Sequence, residues 1–335
     1  LIHLIMSKIL LVCHSNSAVG LGHLSRILVL AQAIKSHGAV IPELVIFGDF
    51  FPKEGISEFH THVFPLSAYF TASIENIISS DNFSAVVFDL HAKQDISDFD
   101  NLLLRLKNRQ ISIIGIDSLL EYCDILDLIW IPSFNFDASS HSNCKCIIKS
   151  GWDSFLIQKR LSHKEWTPGS SVLVLTGGSD TAKLSRTLPA YLDKSLRGDI
   201  KLNWVRGPFS EVPILPTETR LDWIIHDSPS GLDELILNSD YVLTIFGVSL
   251  FEVLQYGVPT VVFSPYQNKD DQELQSLSLE NVALVAANFL DAISGLNTLI
   301  NDENRARDYS LNSLKKLAVN GTQNLVHEIY LLIGV

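Results

Sequence analysis

A histidine and an arginine stand three residues apart near the start of the chain, directly after two glycines. The glycines are Gly20 and Gly22, and the polar residues are His23 and Arg26. Residues three apart share one face of a helix, so an imidazole and a guanidinium would lie together on a first helical turn. Near the positive end of a helix, this pair could bind an anion or transfer a proton.

The residues on either side predict the elements that would position this pair. Residues 9–12 form a continuous apolar run, typical of a central parallel strand covered on both faces. Residues 27–34 carry apolar side chains at helical spacing. An alternative is that the glycines serve only a tight turn, because the third glycine of a dinucleotide fingerprint and the lysine of a P-loop are both missing.

A second polar group follows the apolar run of residues 83–88. Asp89 and His91 come at the end of this predicted strand. Open α/β sheets bind their ligands at the carboxyl ends of buried parallel strands. We therefore take His23, Asp89 and His91 as candidate catalytic residues, and Gly20, Gly22 and Arg26 as candidate binding residues.

The second half of the chain contains two further strand, turn and helix segments, over residues 171–192 and 241–255. Their candidate binding residues are Gly177, Gly178, Ser179 and Asp180 in the first, and Gly247, Val248, Ser249 and Glu252 in the second. Free backbone amides in such a turn could hold a diphosphate. A carboxylate on the following helix could accept hydrogen bonds from ribose hydroxyls.

Two other places could contact a nucleotide or its sugar. The polar stretch 267–273 predicts a loop and supplies Asp271, Gln272 and Glu273, which an alternative interpretation treats as a solvated surface. Ile225 ends a predicted strand over residues 221–225, where backbone groups could contact a base.

Strands alternate with helices in both halves, which predicts an α/β protein with doubly wound parallel sheets. The periodicity breaks down over residues 132–168, where turn-rich sequence predicts a domain boundary. We expect an amino-terminal Rossmann-like domain over residues 6–158 and a carboxyl-terminal one over 168–312. The helical end, residues 313–335, is expected to pack back on the first domain.

Composition limits the partners and the compartment. The chain has 335 residues and a net charge of −12, which argues against a nucleic-acid backbone as partner. Cys13, Cys123, Cys144 and Cys146 fit neither a common zinc spacing nor a disulfide framework, so reduced thiols and a cytoplasmic location are expected. The positive mean hydropathy leaves room for peripheral contact with the inner face of a membrane.

Two groups of side chains have competing interpretations. His60 and His62 alternate on a predicted extended segment, but no acidic or sulfur ligand accompanies them in the sequence, so we predict no metal site and no cofactor. A set of aromatic residues could line a groove for a second substrate or pack in the core. They are Phe50, Phe51, Phe59, Phe64, Tyr69 and Phe70.

Three stretches taken together resemble the GT-B superfamily of nucleotide-sugar enzymes: residues 20–26, 175–180 and 239–273. Within it, they are similar to the MurG-like lipid II N-acetylglucosaminyltransferases and to the related PseG-like UDP-sugar hydrolases of the pseudaminic-acid pathway. The resemblance implies the GT-B fold, in which two Rossmann-like domains with doubly wound parallel sheets face a cleft. It also implies a nucleotide-sugar donor and chemistry without a metal.

The resemblance assigns roles to individual residues. His23 matches the histidine of the G-x-G-H loop, which is implicated in catalysis in the hydrolases. Glu252 matches the glutamate that holds the nucleotide ribose, and the turn 247–249 matches the turn against the diphosphate. Residues 268–273 match the transferase loop H-K-D-R-Q-Q with Asn for His, Asp for Arg and Glu for the last Gln, which leaves the donor sugar open.

The hydrolase branch carries a D-H-Y motif where this chain has Asp89-Leu90-His91. The missing tyrosine favours sugar transfer to a hydroxyl of a glycan or lipid-linked acceptor in bacterial surface-glycan biosynthesis, with His23 or His91 as base. Two alternatives stay open. One is a PseG-like hydrolase that releases the free sugar, and the other is an inactive nucleotide-sugar-binding subunit that serves a partner.

Overall fold

A computed structural model describes residues 7–16, 21–50, 55–66, 69–90, 96–158, 161–266 and 268–335. The chain divides into two compact units, each with its own sheet. Unit 1 comprises Leu1–Ile157 together with Val319–Val335, and unit 2 comprises Gln158–Ala318.

The described residues form strands and helices that alternate along most of the chain. The strands are β1 (Lys8–Ser15), β2 (Ile41–Gly48), β3 (Thr61–Phe64), β4 (Phe83–Asp89), β5 (Ser112–Ile116), β6 (Leu128–Ile131), β7 (Ile147–Ser150), β8 (Ser171–Leu175), β9 (Lys201–Arg206), β10 (Asp222–Asp227), β11 (Tyr241–Ile245), β12 (Thr260–Phe263) and β13 (Leu284–Val285). The helices are α1 (Gly22–His37), α2 (Phe70–Ser80), α3 (Phe99–Asn108), α4 (Leu184–Ser195), α5 (Asp233–Leu237), α6 (Val248–Leu254), α7 (Asp271–Glu280), α8 (Phe289–Asn301), α9 (Glu303–Lys316) and α10 (Gly321–Ile333).

The sheet of unit 1 is parallel throughout, in the order β3-β2-β1-β4-β5-β6-β7. Alternate residues of β1 enter two different cores. Ile9 and Leu11 pack with residues of α1 and α10, whereas Leu10 and Val12 pack with residues of α2 and α3. A strand buried on both faces needs apolar side chains in succession, which explains the unbroken apolar run.

The last helix completes the core of unit 1, although it follows unit 2 in the sequence. Leu325, Val326 and Ile329 of α10 are fully buried in the same core as α1. The Tyr330 hydroxyl donates a hydrogen bond to the carbonyl oxygen of Ile34 at 3.3 Å. Apolar positions at helical spacing in α10 therefore cover one face of the sheet.

Unit 2 repeats this arrangement with the strand order β10-β9-β8-β11-β12-β13, again all parallel. Val172 and Val174 of β8 pack on the side of α4 and α8, and Leu173 and Leu175 pack on the side of α6. Both units are therefore doubly wound, as the alternation of strands and helices predicted.

In each sheet the strand order reverses between two adjacent parallel strands. From one of them the chain continues toward one side of the sheet, and from the other it continues toward the opposite side. In unit 1 this topological switch point lies between β1 and β4, and in unit 2 it lies between β8 and β11. Loops that leave adjacent strands to opposite sides open a crevice at their carboxyl ends. The candidate residues of unit 1 follow β1 and β4, and those of the two glycine turns in unit 2 follow β8 and β11. Both sets therefore follow the strands at the switch points.

The expectation of four reduced thiols is wrong, because Cys123 and Cys144 form a disulfide with Cα atoms 5.3 Å apart. Cys13 and Cys146 remain thiols. The two bonded residues are separated by 21 positions, and tertiary folding brings them together. Spacing alone does not reveal which cysteines will meet in a fold of this size.

Other local predictions need correction. The stretch 132–168, expected to be irregular, contains the four-residue edge strand β7, whose half-exposed residues give little apolar signal. The polar stretch 267–273 is not all loop, because α7 begins at Asp271. Its acidic first turn suits a helix amino terminus.

Candidate active site

His23 is the second residue of α1, and its ring contacts a carboxylate from another element. Its Nδ1 atom lies 2.6 Å from Oδ1 of Asp89, the last residue of β4. Parallel pairing sets Cys13 of β1 opposite Asp89, so the end of β4 lies beside the end of β1, the strand that precedes α1. Residues 66 positions apart in the sequence therefore meet at the switch point of unit 1.

Arg26 binds the same carboxylate through two atoms. Its Nε donates to Oδ2 of Asp89 at 2.9 Å, and its Nη2 donates to Oδ1 at 2.7 Å. The third nitrogen, Nη1, donates to Oδ2 of Asp117 at 2.9 Å. The guanidinium expected to bind a substrate anion thus directs its donors to carboxylates of the chain itself.

Burial and charge compete at this cluster, which consists of His23, Arg26, Asp89 and Asp117. Burial of Asp89, with 0% of its surface exposed, would by itself raise its pKa. The charge of Arg26 and the hydrogen bonds from His23 and Arg26 outweigh burial and hold the pKa of Asp89 below its usual range. Burial would lower the pKa of Arg26, but the charges and hydrogen bonds of Asp89 and Asp117 raise it. Asp89 and Arg26 are therefore a stable ion pair.

The hydrogen bonds fix how the His23 ring can act. Oδ1 of Asp89 is approached by His23 Nδ1 and Arg26 Nη2, and an ionised carboxylate only accepts. The carboxylate 2.6 Å from Nδ1 favours the tautomer with its proton on that nitrogen, although Nη2 of Arg26 also lies 3.1 Å from it. In this tautomer, Nε2 is the basic nitrogen. A histidine oriented by a carboxylate in this way can take a proton from a substrate hydroxyl.

A buried cysteine lies next to this cluster but does not supply a thiolate. Cys13 of β1 pairs in register with Asp89 and is fully buried. Burial, together with the nearby Asp89 carboxylate, raises the pKa of the Cys13 thiol. The thiol stays protonated at neutral pH, so Cys13 is not a nucleophile.

The other candidates in unit 1 have separate outcomes. Gly22 is the first residue of α1, directly before His23. Gly20 and His91 lie outside the residues that the structure describes. Asp117, the added member of the cluster, directly follows β5. Its position after the strand next to β4 is the signal that could have identified it.

The aromatic set divides between core and surface. Phe59 is buried, and the half-buried Phe64 and Phe70 pack on the core between the sheet and α2 and α3. Phe50 is 51% exposed and Tyr69 is 86% exposed. Phe51 lies outside the described residues. Phe50 follows β2 and Tyr69 follows β3, so both stand at the carboxyl edge of the sheet, the edge that carries His23 and Asp89.

In unit 2, the loop after β8 is closely packed, and its backbone conformation depends on glycine. Gly177 has φ of +86°, a left-handed conformation that favours glycine. A Cβ at Gly177 would lie 3.2 Å from the Cδ1 atom of Ile245, at the end of β11. A Cβ at Gly207 would lie 2.5 Å from the carbonyl oxygens of Gly177 and Gly178. The loops after β8, β9 and β11 therefore meet at the switch point of unit 2.

Ser179 and Asp180 follow the two glycines in this loop. The Asp180 carboxylate is buried and accepts hydrogen bonds from the backbone nitrogens of Leu184 at 2.8 Å and Ser185 at 2.9 Å. It therefore caps the first turn of α4. Ser179 is half-buried beside it.

The turn after β11 presents a half-exposed surface at the same crevice. Gly247, Val248, Ser249 and Glu252 are all of intermediate exposure, whereas Leu250 and Phe251 are buried. Glu252 lies three and four positions after Ser249 and Val248, so the three share one face of α6. A Cβ at Gly247 would meet no heavy atom within 4 Å. The backbone at this turn is therefore open to a ligand.

Three of the remaining candidates of unit 2 lie on α7. Ile225 lies within β10, which continues to Asp227 and does not end at Ile225 as predicted. Asp271 and Gln272 are exposed and Glu273 is half-buried in the first turn of α7. This turn begins with the hydrogen bond that the Leu274 nitrogen donates to the carbonyl oxygen of Asp270 at 2.9 Å. Ile225 is half-buried on the edge strand β10. The structure brings the turns after β8 and β11 together, whereas Ile225 lies two strands away from β8.

Comparison with known proteins adds the fold family. No protein-family model matches the chain. The chain is 28% identical over 148 residues to an uncharacterized protein of Methanocaldococcus jannaschii, a match that spans 40% of this chain and 30% of that protein. This partial match shows neither a family nor an activity.

Solved structures match nearly the whole chain. MurG of Acinetobacter baumannii has a TM-score of 0.64 at 12% identity, covering 96% of this chain and 99% of MurG. MnaA of S. aureus, solved with UDP, has a TM-score of 0.62 at 13% identity, covering 98% and 97%. UGT2 of Phytolacca americana, solved with UDP-2-fluoro-glucose and pterostilbene, has a TM-score of 0.66 at 12% identity, covering 98% and 100%. With its two doubly wound parallel sheets, the chain has the GT-B fold, as the three motifs predicted.

Proposed function

We propose that this protein is a glycosyltransferase that moves a sugar from a nucleotide-sugar donor to a hydroxyl group of an acceptor. The observation that supports it is the contact of His23 with the buried, ionised Asp89 at the switch point of unit 1. This pair resembles a general base with its orienting carboxylate. In a GT-B fold, the chemistry that calls for such a base is deprotonation of the acceptor.

In the proposed reaction, Nε2 of His23 takes the proton of the acceptor hydroxyl. The acceptor oxygen then forms a bond to the anomeric carbon of the donor sugar, while the bond from that carbon to the diphosphate oxygen breaks. The nucleoside diphosphate leaves with the electron pair of that bond. Asp89, held in place by Arg26, keeps the ring in the productive tautomer and stabilises the imidazolium that forms.

Unit 2 is proposed to bind the donor. The Gly177–Gly178 loop and the turn at Gly247 flank the switch point, where α/β sheets bind nucleotides. Ser249 and the amides of the turn would contact the diphosphate, and Glu252 would accept hydrogen bonds from the ribose. UDP is the first nucleotide to test, because MnaA and UGT2 were solved with UDP and a UDP-sugar. Asp271, Gln272 and Glu273 are proposed to contact the donor sugar.

The acceptor is proposed to be a glycan or lipid-linked hydroxyl compound of bacterial surface-glycan biosynthesis. Phe50 and Tyr69 support an apolar acceptor, because both are exposed at the sheet edge that carries His23. Among the described residues, the helices do not include one with the length and apolar character of a membrane span. The proposed reaction draws on side chains and backbone amides, so turnover is expected to continue in excess EDTA.

The test is a kinetic comparison of His23→Ala and Glu252→Ala after a screen of nucleotide sugars by thermal shift and by nucleotide release. His23→Ala should lower kcat about 10²- to 10⁴-fold with little change in the donor KM, because it removes only the base. Glu252→Ala should raise the donor KM about tenfold to a hundredfold, the effect of losing hydrogen bonds to a charged group. His141→Ala serves as the control for removal of a histidine from unit 1.

Unchanged turnover in both variants would contradict the proposal. Rapid release of free sugar in the absence of any acceptor would instead establish the hydrolase alternative. Nucleotide binding without turnover in any acceptor mixture would establish the inactive binding subunit.

A further inference from the structure

Two histidines and a glutamate meet at the opposite edge of the unit 1 sheet from His23. Oε1 of Glu43 lies 2.9 Å from Nδ1 of His60 and 2.6 Å from Nε2 of His62. Glu43 is on β2, His62 is on β3, and His60 directly precedes β3. Three potential metal-ligand atoms from these residues all lie within 4.8 Å of one another.

Strand pairing explains why the sequence did not reveal this group. Leu44 pairs with Thr61 and Val45 pairs with His62, so Glu43 and His60 are opposite each other across the two strands. Residues 60 and 62 point to the same face of a strand because side chains alternate. The expectation that no acidic ligand accompanies these histidines is therefore wrong, because Glu43 provides one from 17 positions earlier in the chain.

The glutamate is held in place as a metal ligand would be. It is 4% exposed, and its second oxygen, Oε2, accepts a hydrogen bond from Nζ of Lys8 at 3.0 Å. Lys8 also binds Asp81. The carboxylate is thus oriented by Lys8 through Oε2, while Oε1 faces both histidines and can coordinate an ion.

Charge around the group favours a cation. Glu43 and Asp81 each contribute one negative charge and Lys8 contributes one positive charge, so with neutral histidines the group has a net negative charge. Both ring nitrogens converge on one oxygen. In a tetrahedral site with ligands about 2.0–2.1 Å from the ion, ligand atoms lie about 3.3 Å apart. Oε1 of Glu43 would therefore move apart from Nδ1 of His60 by about 0.4 Å and from Nε2 of His62 by about 0.7 Å.

We propose that Glu43, His60 and His62 bind a divalent transition-metal ion of the zinc type. Two imidazoles and one carboxylate form a ligand set that zinc accepts, with water in the fourth position. The side chain of His60 is 68% exposed, which leaves a path from solvent to the site. The ion ties the edge strand β3 to β2, and it lies at the amino edge of the sheet, apart from the proposed reaction at the carboxyl edge.

The experiment uses the full chain without an affinity tag, freed of metal by a chelator and then dialysed. Zn²⁺ is titrated in competition with a chromophoric chelator, and Co²⁺ is added separately to record the visible absorption of its coordination sphere. The wild type should bind one Zn²⁺ and should melt at a higher temperature with the ion. His60→Ala and His62→Ala should each weaken binding at least tenfold and lose the cobalt spectrum.

His163→Ala, which removes an exposed histidine of unit 2, is the matched control and should bind as the wild type does. His60→Ala is the decisive variant, because a largely exposed ring can be removed without disturbing the core. A wild type that binds no Zn²⁺, or a His60→Ala variant that keeps both its affinity and its cobalt spectrum, would overturn the proposal.

Discussion

At the scale of single residues, Asp89 is the centre of the candidate active site. It orients His23 through Oδ1 and neutralises Arg26 through both oxygens. A carboxylate with no exposed surface is stable only because these donors replace the water it has lost. Its role in orienting a base and its role in holding the fold together are therefore inseparable.

Asp89→Asn is expected to impair both roles. The amide leaves the buried Arg26 with only the partly exposed Asp117 as its charge partner, and breaking a buried pair costs about 3–5 kcal/mol of unfolding free energy. Turnover should also fall, because the His23 tautomer is no longer fixed. Asp117→Asn is the matched control. Its pair with Arg26 is partly exposed, so it should cost about 1 kcal/mol or less.

The pKa of Asp89 predicts how the difference in stability between the wild type and Asp89→Asn changes with pH. The pKa of Asp89 in the folded state lies below its ordinary value of about 3.9. The stabilisation is therefore complete above that value and is lost as the pH falls through the folded-state pKa. Urea midpoints of wild type and Asp89→Asn should differ by a constant amount from neutral pH down to about pH 5 and converge below about pH 4. A difference that stays constant into acid would contradict this assignment.

At the scale of elements, the turns at the switch points depend on backbone geometry as much as on side chains. Gly177 combines a left-handed conformation with close packing against Ile245. Gly38, the residue after α1, has φ of +71° with no heavy atom within 4 Å of a Cβ. The two positions differ mainly in the space around them, so they form a matched pair.

Gly177→Ala should destabilise the protein by about 1–3 kcal/mol and should reduce the thermal shift produced by the nucleotide. The reason is that the added Cβ displaces either the loop or the end of β11, where the donor is proposed to bind. Gly38→Ala should cost about 1–2 kcal/mol through its conformation alone, and it should keep the full nucleotide shift. Denaturation and ligand-dependent melting measure both effects. A full nucleotide shift in Gly177→Ala would contradict the proposed donor loop.

At the scale of the whole molecule, the chain returns to unit 1 after it completes unit 2. The helix α10 supplies Leu325, Val326 and Ile329 to a core made otherwise from residues before position 157. The stability of unit 1 therefore depends on a segment that follows the whole of unit 2. Removing a fully buried side chain from this helix tests that dependence.

Ile329→Ala should lower the unfolding free energy of unit 1 by about 2–5 kcal/mol, because it leaves a cavity in a closed core. Leu331→Ala, on the same helix at 62% exposure, should change stability by about 0.5 kcal/mol or less. Hydrogen exchange resolved by peptide can assign the effect. Faster exchange in β1 and α1 than in β8 and α4 is expected, and equal acceleration in both units would contradict it.

Much of this protein follows from its sequence because the signals are local. The apolar runs of residues 9–12 and 83–88 are long enough to indicate buried parallel strands, and glycines before amphipathic helices indicate the turns between them. The same pattern predicts that Asp89, Gly177 and Gly247 lie at or just after strand ends and that His23 starts the helix after β1, because parallel strands end at one edge of a sheet. The fold and the main candidate residues were therefore within reach of sequence reasoning.

Only the tertiary structure decided which side chains meet. The cluster of His23, Arg26, Asp89 and Asp117 spans three strand ends, and strand order rather than sequence distance determines that they are neighbours. The same holds for Glu43 beside His60 and His62, and for the disulfide of Cys123 with Cys144. The register of paired strands, and the packing of α10 on the first unit, are determined by the packing of the whole domain. Short motifs therefore indicate where chemistry can occur, and the fold decides which side chains take part.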